Sequence, residues 1–215
     1  MKKPVSRVLY IIVGILAGFV FTGVLYATTG FSIFGRVREN PTSSAEVSNA
    51  ELTALAFSAL RYIREGDYSA LSRMVHPEFG LVFSPCATIN LTTNKCFQVE
   101  QIASFGNDTK LYVWGVYSGS GQPIELTPAD YFAEFVFDKD YTTAAVIGVN
   151  HIVRSGNALE NITDLFREAQ FVDFHFPGNG RDGSEDANWS TLRLAFEEHN
   201  GSLWLSLVQR SRYTV

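Results

Sequence analysis

The chain has only two cysteines in 215 residues. They do not form a C-x-x-C pair, and no nearby histidine completes a zinc set. A thioredoxin-like redox centre and a structural zinc site are set aside on that ground. Clustered positive charge is missing as well. Seventeen Lys and Arg stand against twenty-two Asp and Glu, a formal net charge of −5. Nucleic acid and anionic headgroups are poor partners for such a chain. There is no internal repeat, and low complexity is confined to residues 178–187. Gly115 to Gly121 is glycine-rich but lacks the Lys-Ser/Thr and the following helix of a phosphate loop. The acids Asp182, Glu185 and Asp186, like Asp138 and Asp140, lack the spacing of a calcium loop and read as solvated turns. No motif names a reaction, and no cofactor is implied.

One long stretch is present instead. Val8 to Gly35 runs for twenty-eight residues without a charge, enough for a helix that crosses the ~20 residues of a hydrocarbon core. Lys2, Lys3 and Arg7 precede it, which favours a cytoplasmic N-terminus and an extracytoplasmic remainder. The alternative is a cleavable signal peptide. Its apolar region is usually ~7–15 residues and ends in a small-x-small site. Cleavage after Ala27 would put Leu25 at the outer small position, and cleavage after Thr29 would use a poor inner residue. The reading is therefore an uncleaved single-pass anchor over residues 1–35. Gly14 and Gly18 form a GxxxG pair, extended by Thr22, through which two anchors could dimerise; the bland alternative is small residues facing lipid.

Residues 36–47 are a polar, Ser-rich linker. Beyond them lies enough chain for one well-buried domain. Three of the seventeen cations precede residue 36, so fourteen face twenty-two acids, a net of −8 for the remainder. In an exported domain Cys86 and Cys96 read as a disulfide, whose ring would contribute roughly 2–3 kcal/mol.

The folded part opens with helices. Ser48-Asn-Ala-Glu51 has capping-box spacing, and Leu52, Leu55, Ala56, Ala59, Leu60 and Ile63 form one helical stripe that ends at Gly66. Asp67 caps a shorter helix stopped by His76-Pro77. Strands are expected at Leu81–Ser84 and, as a stapled hairpin, at Thr88–Thr92 and Lys95–Gln98. A short helix follows over Val99–Phe105, then a strand over Lys110–Tyr117. Thr127-Pro128 starts another helix. Val146–His151 is strand or loop, and Asn161–Ala169 looks helical. The last third reads as strands Phe171–Phe176, Thr191–Glu198 and Ser202–Tyr213. Asn200-Gly201 joins the final two as a tight hairpin. Leu203, Leu205 and Leu207 are expected on one face, like Leu192, Leu194 and Phe196. The order predicts an α+β domain of helices on a mostly antiparallel sheet.

This order of elements over Ser48–Val215 resembles the NTF2-like (cystatin-like) superfamily. That resemblance implies a long helix across a curved sheet, with a cone-shaped hollow. Three stretches, Val75–Pro85, Trp114–Thr127 and Trp189–Glu197, are similar to uncharacterised bacterial exported domains, a group for which no activity follows and whose usual members lack the cysteine pair. The Met-Lys-Lys start also points to a bacterium. The sequons at Asn90, Asn107, Asn161, Asn188 and Asn200 then read as turn chemistry.

The resemblance implies that a catalytic member would place Asp, His or Tyr in the cone. Asp173 and His175 lie two apart on a strand and so point the same way, which would suit proton transfer. The competing reading makes Val172, Phe174 and Phe176 the core set and leaves Asp173 and His175 on a solvated face. Tyr112, Trp114 and Tyr131 are candidates for a pocket wall, against the alternative that they are core. His76 reads as a helix stop, and His151 and His199 have no partner at ligand spacing. The favoured function is a membrane-anchored extracytoplasmic binding or interaction module. The alternatives are a small-molecule enzyme using the cone and an assembly factor of an envelope complex, which predicts an exposed apolar patch.

Overall fold

The computed structural model describes residues 48–178 and 188–212. The expected anchor, its Gly14/Gly18 face, the linker and Asp182, Glu185 and Asp186 lie outside the described residues. Among the described residues no helix is long and apolar enough to cross a membrane.

Helix α1, Asn49–Glu65, begins where Ser48 accepts the Glu51 N–H at 3.2 Å and ends at Gly66, whose φ of 66° suits a residue without Cβ. Its stripe of Leu52, Ala56, Ala59, Leu60 and Ile63 is buried. Asp67 accepts from Ala70 N–H at 2.8 Å and starts α2, Tyr68–Ser72. That helix ends before His76-Pro77. His76 instead joins the sheet region, donating its N–H to Leu205 at 3.0 Å, while its Nδ1 accepts from Phe79 N–H at 3.0 Å. Strands β1 (Leu81–Ser84) and β2 (Lys95–Phe97), helix α3 (Val99–Ser104), β3 (Tyr112–Val116) and β4 (Pro123–Leu126) follow. Thr127 caps α4, Pro128–Tyr131, which continues as a π-helix over Phe132–Val136. The chain closes with β5 (Val146–Val149), α5 (Ile162–Leu165), β6 (Gln170–Phe176), β7 (Ser190–His199) and β8 (Ser202–Arg212).

Six strands form one mixed sheet in the order β2-β1-β8-β7-β6-β5, and β3-β4 form a separate pair. All neighbours in the large sheet are antiparallel except β1 and β8. Asn200 and Gly201, at φ of 54° and 80°, make the β7–β8 turn.

Two local expectations are corrected. Residues 88–92 are not a strand: β2 pairs with β1, and the intervening segment bonds to itself, with Asn94 N–H donating to Asn90 O at 2.7 Å. A register shift at Ala195/Phe196 sends Leu205 and Leu207 to opposite faces, because a bulge inserts one unpaired residue.

The two faces of the sheet are covered differently. Helix α1 lies on the face carrying Val172, Phe174, Leu192, Leu194 and Phe196, and Phe57 meets Phe174 edge-on at 5.2 Å. The other face is covered by residues 150–169, which bury a smaller cluster around Ile162, Phe166, Phe171 and Leu207.

Candidate functional site

The interior beneath the helices is filled by aromatic rings. Trp114 is fully buried and stacks on Tyr131 at 3.9 Å, with the rings 7° from parallel. Phe83 meets Trp114 edge-on at 5.3 Å, and Phe97 meets Phe105 at 4.8 Å. The indole Nε1–H donates to Leu126 O at 2.9 Å, which satisfies its polar end. Burial pushes the Tyr131 phenol well above its ordinary pKa. Tyr112 lies at the margin, its hydroxyl on Asp108 at 2.8 Å. The structure thus brings Tyr112, Trp114 and Tyr131 together, Trp114 and Tyr131 as packed core and Tyr112 at its edge.

Asp173 and His175 share a face, as their spacing implies, but that face is not solvated. They are 0% and 4% exposed under the 150–169 segment. Arg193, opposite Asp173 in register, donates Nε–H to Oδ1 at 2.6 Å and Nη2–H to Oδ2 at 2.9 Å. Its Nη1 serves Glu160 at 2.7 Å and Gln209 at 3.0 Å. Val153 N–H adds a bond to Asp173 Oδ2 at 3.1 Å. This network ties the covering segment to the sheet. His175 Nδ1 pairs with the Thr191 hydroxyl at 2.8 Å. Burial lowers its pKa, helped by nearby Arg154 and Lys139 and opposed by Asp173. Asp173 is committed to a guanidinium, so this part of the arrangement works as a structural clamp between the sheet and the covering segment.

The expected disulfide is also corrected. Both thiols are free: Cys86 Sγ donates to Thr88 O at 3.2 Å, and Cys96 Sγ to Phe79 O at 3.1 Å. Cys96 is opposite Val82 in the β1–β2 register, four residues before Cys86. Cys86 has left the ladder, and the two thiols line different cavities. Asp138 and Asp140 are engaged as well, the first with Arg210 and the second capping Thr142 N–H at 3.1 Å.

An open groove contrasts with this filled interior. It measures about 390 Å³ and is lined by Phe79, Val82, Leu91, Cys96, Leu165 and Phe166, among others. Its rim keeps Phe79 63% and Leu91 54% exposed. Of these residues the sequence marks only Cys96, and as half of a disulfide rather than as part of a groove. The available signal is Phe79, which lies between the helix stop and β1 with no helical or strand period to bury it.

No protein-family model matches the chain. Among solved structures it is similar to a calcium/calmodulin-dependent protein kinase II association domain from Xanthomonas campestris, at 11% identity, TM-score 0.34, covering 80% of this chain and 92% of that one. It is similar to an NTF2-like protein of unknown function from Shewanella oneidensis MR-1, at 10% identity, TM-score 0.29, covering 74% and 94%. A DUF4783 family protein from Bacteroides ovatus shows 9% identity, TM-score 0.27, covering 74% and 94%. The described domain is an α+β fold, a mixed sheet with a helix laid on it, and its structural neighbours include NTF2-like proteins.

Proposed function

We propose that the protein is a binding module, held to a membrane by Val8–Gly35 with its domain on the extracytoplasmic side, and that the apolar groove takes a small apolar ligand. The observation behind the binding role is the contrast between the aromatic-filled interior and the open groove of about 390 Å³. That volume is within the roughly 300–1,000 Å³ of small-molecule sites. Apolar side chains left in water at its rim gain when a ligand covers them. The anchor rests on the uncharged run and its flanking cations alone.

Methyl NMR on the full chain in lipid nanodiscs, titrated with a neutral naphthalene probe, tests the groove. Val82, Leu91 and Leu165 signals should shift saturably, and Leu165→Asp should abolish the shift without unfolding the domain. Shifts spread over α1 and absent from the groove would end this reading. A reporter fused after Val215 tests the topology: activity confined to the cytosol would remove the anchor and the compartment together.

A further inference from the structure

At the other end of β7 and β8 a second opening has a different chemistry. A cleft of about 290 Å³ is lined by Asp138, Lys139, Trp189, Ser190, Arg210 and Arg212, among others. Three of these six side chains are cationic and one is acidic, in a chain whose formal net charge is −5.

Arg210 forms the floor. It is 4% exposed and lies opposite Leu192, on a strand position otherwise given to the core. Asp138 accepts from Nη2 and also receives the Tyr141 hydroxyl at 3.1 Å. The buried Nε and Nη1 find no acceptor among the described residues. Arg193 shows how this same sheet treats a structural guanidinium: all three of its nitrogens are bonded, to Asp173, Glu160 and Gln209. Arg210 has Asp138 as its one charged partner, with the Tyr141 hydroxyl beside it. A buried donor left without an acceptor is a cost, and native proteins keep few of them outside functional sites.

The mouth adds to the imbalance. Lys139 Nζ donates to the neutral Ser190 hydroxyl at 3.0 Å and stands 5.7 Å from the Phe176 ring centre. Arg212 lies 5.9 Å from the Phe135 ring centre. Neither is in a salt bridge among the described residues. Positive charge facing a concave, partly desolvated surface concentrates anions there.

We propose that this cleft binds the oxyanion group of a small molecule, a carboxylate or a phosphate, with Arg210 as the buried donor and Lys139 and Arg212 closing on it from the mouth. The site is separate from the apolar groove and does not rest on it.

Calorimetric titration of the full chain in phosphatidylcholine nanodiscs tests this, with inorganic phosphate and with propionate as probes and chloride at matched ionic strength as the control. Saturable binding of at least one probe is expected, and the stronger probe identifies the anion class. Lys139→Gln with Arg212→Gln should weaken it by about tenfold or more, since charge-assisted bonds are lost from solvent-facing residues that do not hold the core. Arg210→Met should abolish it; should that variant fail to fold, the surface pair carries the test alone. Heats equal to those of chloride, or unchanged binding in the Lys139/Arg212 double variant, would overturn the proposal.

Discussion

Arg193 grips Asp173 from the neighbouring strand through two parallel hydrogen bonds, at 2.6 and 2.9 Å, with both side chains shielded from water. Desolvation works against the Arg193 charge, but its bonds with Asp173 and Glu160 outweigh that, and the guanidinium pKa is raised. The pair joins β6 to β7, and through Glu160 it holds the covering segment.

Removing one partner strands the other. Arg193→Leu leaves Asp173 and Glu160 as buried or nearly buried carboxylates, and the expected loss is ~3–5 kcal/mol, read from the urea midpoint. The paired change Arg193→Leu with Asp173→Leu should cost less than the sum of the single changes, because the shared charge disappears. Additive losses would show that the two residues act independently.

Acid should destabilise the domain through two histidines. Burial lowers the pKa of His76, with His199 adding to the shift and Glu197 and Glu78 opposing it; burial likewise lowers that of His175. The unfolded chain, with its histidines near 6.5, then binds more protons than the folded one as pH falls below that value. Stability is therefore fully present above pH 6.5 and is lost as pH drops through it towards the lower folded values. Urea melts at pH 7.5 and 5.5 should differ in that direction, and His175→Gln should shrink the difference. A flat profile would contradict the burial of both rings.

Thiol titration addresses the cysteines. The native protein should release two thiols, with Cys96, the exposed one, reacting before Cys86. Burial raises both pKa values, so each reaction should be slow near neutral pH. Cys86→Ala should not lose the ~2–3 kcal/mol that a bridge of this ring size would supply.

Helix α1 and the β7–β8 hairpin were legible because each carries its own punctuation: Ser48 and Gly66 for one, Asn200-Gly201 for the other. The face of Asp173 and His175 was misread for a physical reason. Alternation separates two sheet faces but does not say what covers the second, and residues 150–169 cover it with almost no regular structure to announce themselves. Arg193 was the overlooked signal. A charge inside Leu192-Arg-Leu-Ala-Phe196 requires a buried partner, and Asp173, an acid within a run of apolar strand residues, is the one that answers it. The bulge near Leu205 left no mark in a run that alternates cleanly. The cationic cleft draws Lys139, Ser190 and Arg210 from three distant segments, which no spacing rule joins.

Asn161 offers a test of how the covering segment is held. Its Oδ1 accepts from Ile89 N–H at 2.8 Å, and its Nδ2 donates to Ile89 O at 2.9 Å, so one side chain serves both polar groups of a backbone residue that has no strand neighbour. Thr88 adds a hydroxyl bond to Leu159 O at 2.8 Å. Asn161→Ala would leave the Ile89 groups unpaired beside a side chain only 3% exposed, a loss of about 1–3 kcal/mol per buried group. Asn161→Asp keeps the acceptor and loses the donor, so its loss should be intermediate. Hydrogen exchange should then speed up at Ile89 and in the covering segment while α1 stays protected, because α1 packs on the other face. Faster exchange throughout α1 in Asn161→Ala would mean that the two faces of the sheet unfold as one unit and that the covering segment has no separate stability.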